Sequence, residues 1–150
     1  MAKLEQIEKH LRQQNLLYKV VDLESEAFTV GDVVKSGIDE DEVVKTLIVR
    51  ANQGFVALAL RGKDRLDFKK VRKLLGSKAE LAKPDEVLKV VGVPIGAVCP
   101  VLVGIPLYFD KKVMDLENVH MGPGDLMHGL EMKLSDLIKA VGDYLIEDLT

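Results

Sequence analysis

Residues 43–60 read VVKTLIVRANQGFVALAL, two β-rich runs, Val43–Ala51 and Phe55–Leu60, separated by Asn52-Gln53-Gly54. That pattern predicts a hairpin, with the turn residues bounding β-branched and aliphatic strands. At a period of two, Val43, Lys45, Leu47 and Val49 share one face, and Val44, Thr46 and Ile48 share the other. Both faces are largely apolar, so the first run is expected to be an inner strand. Lys45 then projects from an aliphatic row, where an unpartnered ammonium is costly. Either it is a gatekeeper that discourages edge pairing, or it is a point charge for a phosphate or a developing oxyanion.

Outward from the hairpin, the chain alternates irregularly between short helical and strand patterns. Leu4, Ile7 and Leu11 recur at helical spacing and predict a helix over 2–14. Leu16–Leu23 reads as a strand, and Thr29 with Asp32 as the start of a helix stopped at Lys35-Ser36-Gly37. The acids at 39–42 favour a short helical turn. Residues 67–75 place Phe68, Val71, Leu74 and Leu75 on one face, and Pro84 opens another short helix that ends at Gly92. Ile105–Phe109, Val119–Met121 and Leu130–Met132 read as strands, Ser135-Asp136 as the cap of a last helix, and Tyr144–Ile146 as a closing strand. This order predicts one α+β domain over 1–150, with a curved, barrel-like mixed sheet surrounded by short helices.

VVGVPIGAVCPVLVGIP, residues 90–106, puts three prolines and three glycines into an apolar run. A core strand avoids Pro and Gly, and a surface loop is seldom so apolar. The stretch is either a buried bend or a loop whose main chain meets a ligand.

Composition narrows the classes of function. With 47% hydrophobic and 30% charged residues, the 150-residue chain has the balance of a globular protein. No apolar run is long enough to span a bilayer, and MAKLEQIEKHLRQQ lacks a signal-peptide core. A single cysteine, Cys99, allows no internal disulfide and fits a reducing, cytoplasmic compartment. Its apolar setting reads as a small core residue rather than a nucleophile. Net charge is −3, yet residues 61–78 hold eight Lys/Arg against two Asp. Such a patch steers a polyanion or is a solvated helix face.

No nucleophile elbow, P-loop or HExxH occurs, and GPGDLM at 122–127 departs from a dinucleotide fingerprint at its last position. His10, His120 and His128 lack metal-finger spacing, so no metal or other cofactor is expected.

Taken in order, the VVKTLIV…FVALAL hairpin, RGKDRLDFKKVRKLLG, the GVPIGAVCP loop, the strand ending Tyr108-Phe109-Asp110 and MGPGDLMHGLEMKLSDL resemble the YbaK/ProX family of aminoacyl-tRNA editing domains, over about residues 28–142. That family also occurs inserted in bacterial prolyl-tRNA synthetases. The resemblance implies a metal-independent, freestanding hydrolase that deacylates a mischarged tRNA carrying a small amino acid such as Ala, Cys or Ser. tRNA-Pro is the implied carrier, and an aminoacyl-tRNA synthetase a further candidate partner.

Carried over by position, Lys45 matches the family's critical lysine, and Gly96 and Pro100 match the ends of its GxxxP loop. Lys45 and Gly96 are therefore the expected catalytic positions. Ala97, Val98, Cys99 and Pro100 of the loop, with Gly122, Gly124 and His128, are expected to bind substrate. Arg61, Lys63, Arg65, Lys69, Lys70 and Lys73 are expected to hold tRNA. Cys99 stands where many relatives have a small polar residue or glycine, and Asp125 roughly where some deacylases carry a basic one. The competing expectation is a non-hydrolytic binding module for an aminoacyl-adenylate or a tRNA 3′ end.

Overall fold

A computed structural model describes residues 3–150. The chain runs through α1 (Leu4–Gln13), β1 (Lys19–Asp22), α2 (Val30–Lys35), a 3-10 turn (Glu40–Glu42), β2 (Val44–Ala51), β3 (Gly54–Arg61), α3 (Phe68–Leu75), β4 (Ala79–Leu81) and α4 (Pro84–Val91). After an irregular stretch come β5 (Leu107–Asp110), a second 3-10 turn (Lys111–Asp115), β6 (Asn118–Met121), β7 (His128–Lys133), α5 (Leu134–Val141) and β8 (Leu145–Glu147).

The expected hairpin forms. β2 and β3 pair antiparallel from Val44–Arg61 to Ala51–Gly54, so the turn itself is only Asn52-Gln53. Gly54 belongs to β3 and takes φ +128°, a conformation open to glycine. β2 is an inner strand, in the order β4-β2-β3-β5-β8, with antiparallel pairing to β4 and parallel ladders β3–β5 and β5–β8. The second sheet is antiparallel, in the order β1-β7-β6.

The mixed α+β class is as expected, but the single barrel-like sheet is not. The two sheets touch through one isolated parallel bridge, Val43 to His120, and the described strands close no barrel. The edge strands β4 and β8 have three residues each, too short to reach across and continue the pairing.

Alternation along β2 sorts the core. Val44 and Ile48 pack into the main cluster with Ile7 and Leu11 of α1, Val87 and Val91 of α4, Phe109, Leu130 and Leu137. Val49 faces the other way and joins Leu58, Val71 and Leu75 of α3, and Leu149. Apolar residues on both faces of β2 thus meet two different partners.

Several boundaries move for local reasons. The helix predicted over 2–14 spans Leu4–Gln13, and Ala2 lies outside the described residues. The strand predicted from Leu16 begins at Lys19, because Asn15 turns left-handed (φ 56°) and the Leu16 N–H donates to Leu11 O at 3.0 Å. Thr29 caps α2 as expected, with Asp32 N–H donating to its hydroxyl at 3.2 Å. Ser135 does not cap α5, which starts at Leu134 after Lys133. The Leu134 N–H donates instead to Glu117 O at 2.8 Å, so a neighbouring loop satisfies that helix end. β4 carries too few residues to show an alternation.

Asp110, fully buried at the end of β5, accepts hydrogen bonds from Leu149 N (2.8 Å) and Lys112 N (3.3 Å). Asp110→Ala leaves the buried Leu149 donor unpaired. We expect it to cost about 1–3 kcal/mol, read as a lower urea midpoint at unchanged slope.

Candidate active site

Three loops are laced together at one end of the fold. Leu23 N donates to Met127 O (2.8 Å), Ala27 N to Leu126 O (2.9 Å) and Gly124 N to Ala97 O (2.7 Å). At their junction Gly96 has φ +85°, and a Cβ there would lie 2.8 Å from Ala27 O, Phe28 Cα and Phe28 O. A Cβ on Gly122 would lie 2.7 Å from Gly96 O. Glycine at 96 and 122 therefore lets three main chains stack. The close approach is first of all between segments of the protein itself, which accounts for Gly96 within the apolar 90–106 run.

Beside this junction lies a cleft of about 630 Å³, walled by α2, β2, the turn after β3, the start of α4, the 95–98 segment and the end of β6. β4 pairs only with Val49–Ala51, so the first half of β2 presents an open edge to the cleft. Phe28, Leu81 and Ile95 stand exposed on its rim.

Lys45 lines the cleft but does not hang free in it. Its Nζ donates to Asp64 O at 2.6 Å and Gly62 O at 3.1 Å, leaving one of three N–H donors for a ligand. Partial burial lowers its pKa from the ordinary lysine value, and the Asp64 carboxylate opposes that shift. Asp64 is in turn held by Arg61, Nε to Oδ2 at 2.7 Å, and that guanidinium keeps its carboxyl below the usual range. The turn after β3 is thus a clamp that fixes a cation against the cleft wall.

Two buried polar side chains absent from the sequence-based set also line the cleft. Thr46, 8% exposed, has its hydroxyl sealed without a hydrogen-bond partner. His120, 2% exposed, has Nδ1 sealed likewise, with Glu131 Oε1 3.7 Å away. His120 interrupts Val119 and Met121 in an apolar strand, the same kind of signal that singled out Lys45.

Of the expected residues, the structure brings Lys45, Gly96, Val98, Gly122, Lys63 and Arg65 to one cleft. Ala97 and Cys99 lie in the main core, and Pro100 lines a separate depression beside α5. Gly124 is not on the cleft wall, though its N–H ties down Ala97. His128 is also elsewhere, its Nδ1 2.8 Å from Asp125 Oδ1 and its Nε2 3.3 Å from Asp22 Oδ1. Within the basic segment, Lys63 pairs with Asp41 (2.9 Å), Lys70 with Asp148 (3.0 Å) and Arg61 with Asp64. Arg65, Lys69 and Lys73 make no ion pair among the described residues, so half of the six cations expected to hold tRNA are already paired within the protein.

Burial pushes the Cys99 thiol up to about 12. Iodoacetamide at pH 8 is expected to leave the native protein unlabelled and to label it on unfolding in urea. Rapid native labelling would show a thiol within reach of the cleft.

A fixed cation, a main-chain loop and two unpartnered polar side chains thus meet at one cleft. Residues 24–140 match the aminoacyl-tRNA editing domain family, and the chain belongs to it. It is 34% identical over 102 residues to the proline–tRNA ligase of Caldicellulosiruptor bescii, a match covering 67% of this chain and 18% of the ligase. The chain thus spans under a fifth of the length of that relative. An uncharacterized protein of Bacillus subtilis, YwhH, is 29% identical over 138 residues, covering 89% of this chain and 88% of the other. Among solved structures, a candidate trans-editing enzyme for prolyl-tRNA synthetase superposes with a TM-score of 0.83 at 25% identity, covering 98% of this chain and 96% of that one. None of the described helices is long and apolar enough to cross a membrane.

Proposed function

We propose that this chain is a single editing domain acting in trans, a metal-independent deacylase that releases a small amino acid (Ala, Cys or Ser) from a mischarged tRNA, with tRNA-Pro as the carrier. The observation that carries this reading is the clamp on Lys45, which holds one cation on the wall shared with the Gly96 loop. Family membership and the likeness to a trans-editing enzyme support it.

In this reading Lys45 anchors the terminal nucleotide through its remaining N–H. Main-chain groups of the 95–98 segment flank the ester, and the ribose hydroxyl beside the ester orients the attacking water. Arg65, Lys69 and Lys73 supply the salt-sensitive attraction to the acceptor stem. The need for such an enzyme is physical, since one methylene distinguishes two amino acids by only about 1–3 kcal/mol in a synthetase pocket.

The test is turnover. Substoichiometric protein is incubated with tRNAs charged with Ala, Cys, Ser, Thr and Pro, including mischarged tRNA-Pro, and ester loss is followed. Many turnovers on one or two small residues establish the deacylase and name its substrate. Protection of the ester at one equivalent identifies a binding module for the tRNA end instead.

A further inference from the structure

His120 sits on β6 between Val119 and Met121, whose side chains enter the main core, so its own turns to the opposite face. Gly122 continues that face about 6–7 Å further along the chain, pressed against Gly96 O. The imidazole is therefore one strand repeat from the glycine loop. Val43, its partner in the bridge between the sheets, immediately precedes β2 and lies two residues before Lys45.

The ring has a built seat. A Cβ on Gly129 of β7 would overlap its Cε1 and Nε2, so that glycine leaves room for an imidazole. Glu131, the β7 residue paired with His120, stands behind Nδ1 at 3.7 Å. The ring makes no hydrogen bond among the described residues; its Nδ1 is sealed, whereas Nε2, which lies over Gly129, is the unsealed nitrogen of a residue that lines the cleft. A histidine kept only for packing has no use for a backing carboxylate and an unpartnered nitrogen at a cleft wall.

Resting on the deacylase reading, we propose that His120 is the proton acceptor of the cleft, with Glu131 as the positioning residue behind it. Nε2 takes a proton as the water oxygen bonds to the ester carbonyl carbon. The carbon–oxygen bond to the ribose then breaks, and the imidazolium returns the proton to the departing ribose oxygen. Free amino acid and an intact terminal hydroxyl result. Burial holds the imidazole's pKa below its ordinary value, and Glu131 opposes this, so the ring is neutral and basic at neutral pH. The other charges around it are Lys19, paired with Glu131 on β1, Glu40 from the turn before β2, and Lys45, Lys63, Asp64 and Arg65 on the cleft wall.

The experiment follows deacylation of mischarged tRNA from pH 5 to 9 by the full chain, H120Q and E131Q, with each variant's folding checked by urea unfolding. The wild-type rate is expected to rise with pH through the imidazole's ionisation. E131Q keeps that limb but moves it to lower pH, because the carboxylate that favours the imidazolium is gone. H120Q loses the limb and falls by about 10²–10⁴-fold. An active wild type with an H120Q variant of equal rate and pH profile overturns the histidine's role and leaves the deacylase standing. A wild type that releases no amino acid overturns the deacylase reading, and this proposal with it. Should H120Q not fold, E131Q decides: a limb that does not move overturns the pair.

Discussion

Lys45→Ala is expected to lower kcat/KM for release of the amino acid by about 10²-fold or more, the scale of a lost charge-stabilising group. Two losses combine. The cation facing the ligand disappears, and Gly62 O and Asp64 O lose the ammonium that draws them together. The turn carrying Arg65 then loosens, so binding of the acceptor end weakens along with the chemistry. Stability should change little, because the group is only partly buried and its carbonyl partners lie next to the cleft. Single-turnover deacylation of mischarged tRNA, paired with urea unfolding, separates the two effects. Lys45→Arg sharpens the test, since a planar fork cannot reproduce a point charge donating to two carbonyls. Full activity in Lys45→Ala would remove the lysine from the site.

The second large effect is expected at Gly96. Alanine there must adopt φ +85°, at roughly 1–2 kcal/mol for a left-handed residue, and its Cβ would press on Ala27 O and Phe28 at 2.8 Å. Those are main-chain atoms, which cannot rotate aside, so the 23–28 and 94–100 loops must part. Gly104→Ala is the control, having φ +79° with nothing within 4 Å of its added Cβ. It should carry the backbone cost alone and keep its activity. Gly96→Ala should be less stable than the control and lose most deacylation, measured by urea midpoint and ester release. Equal behaviour of the two variants would mean that the stacked loops are not what shapes the site.

How far the sequence carried depends on the kind of atom involved. The hairpin and the inner position of β2 were legible because alternation shows in side chains. Lys45 stood out for the same reason. Its partners did not, since Gly62 O and Asp64 O are main-chain atoms that every residue possesses. Gly96 was conspicuous in an apolar run, but the segment it accommodates, Ala27–Phe28, lies about seventy residues earlier and carries no mark of the contact. The charge of 61–78 could be counted, whereas the acids that neutralise Lys63 and Lys70, Asp41 and Asp148, come from distant parts of the chain. His120 carried the same signal as Lys45, but it has no metal-ligand spacing and no matching family position to mark it as a site residue. The single barrel-like sheet failed because sequence shows strands, while their closure depends on how far the edge strands reach.

The way Asp110 holds Leu149 has a consequence in time. A ribosome delivers this chain from its N-terminus, and the β5 carboxylate is made nearly forty residues before the amide it binds. Until Leu149 emerges from the exit tunnel, the smaller core lacks its last side chain and β5 lacks its β8 neighbour. The β3–β5 ladder already joins residues some fifty positions apart, and such long-range pairings form slowly. A growing chain therefore leaves β5 and the smaller core incomplete until residues 145–149 have emerged.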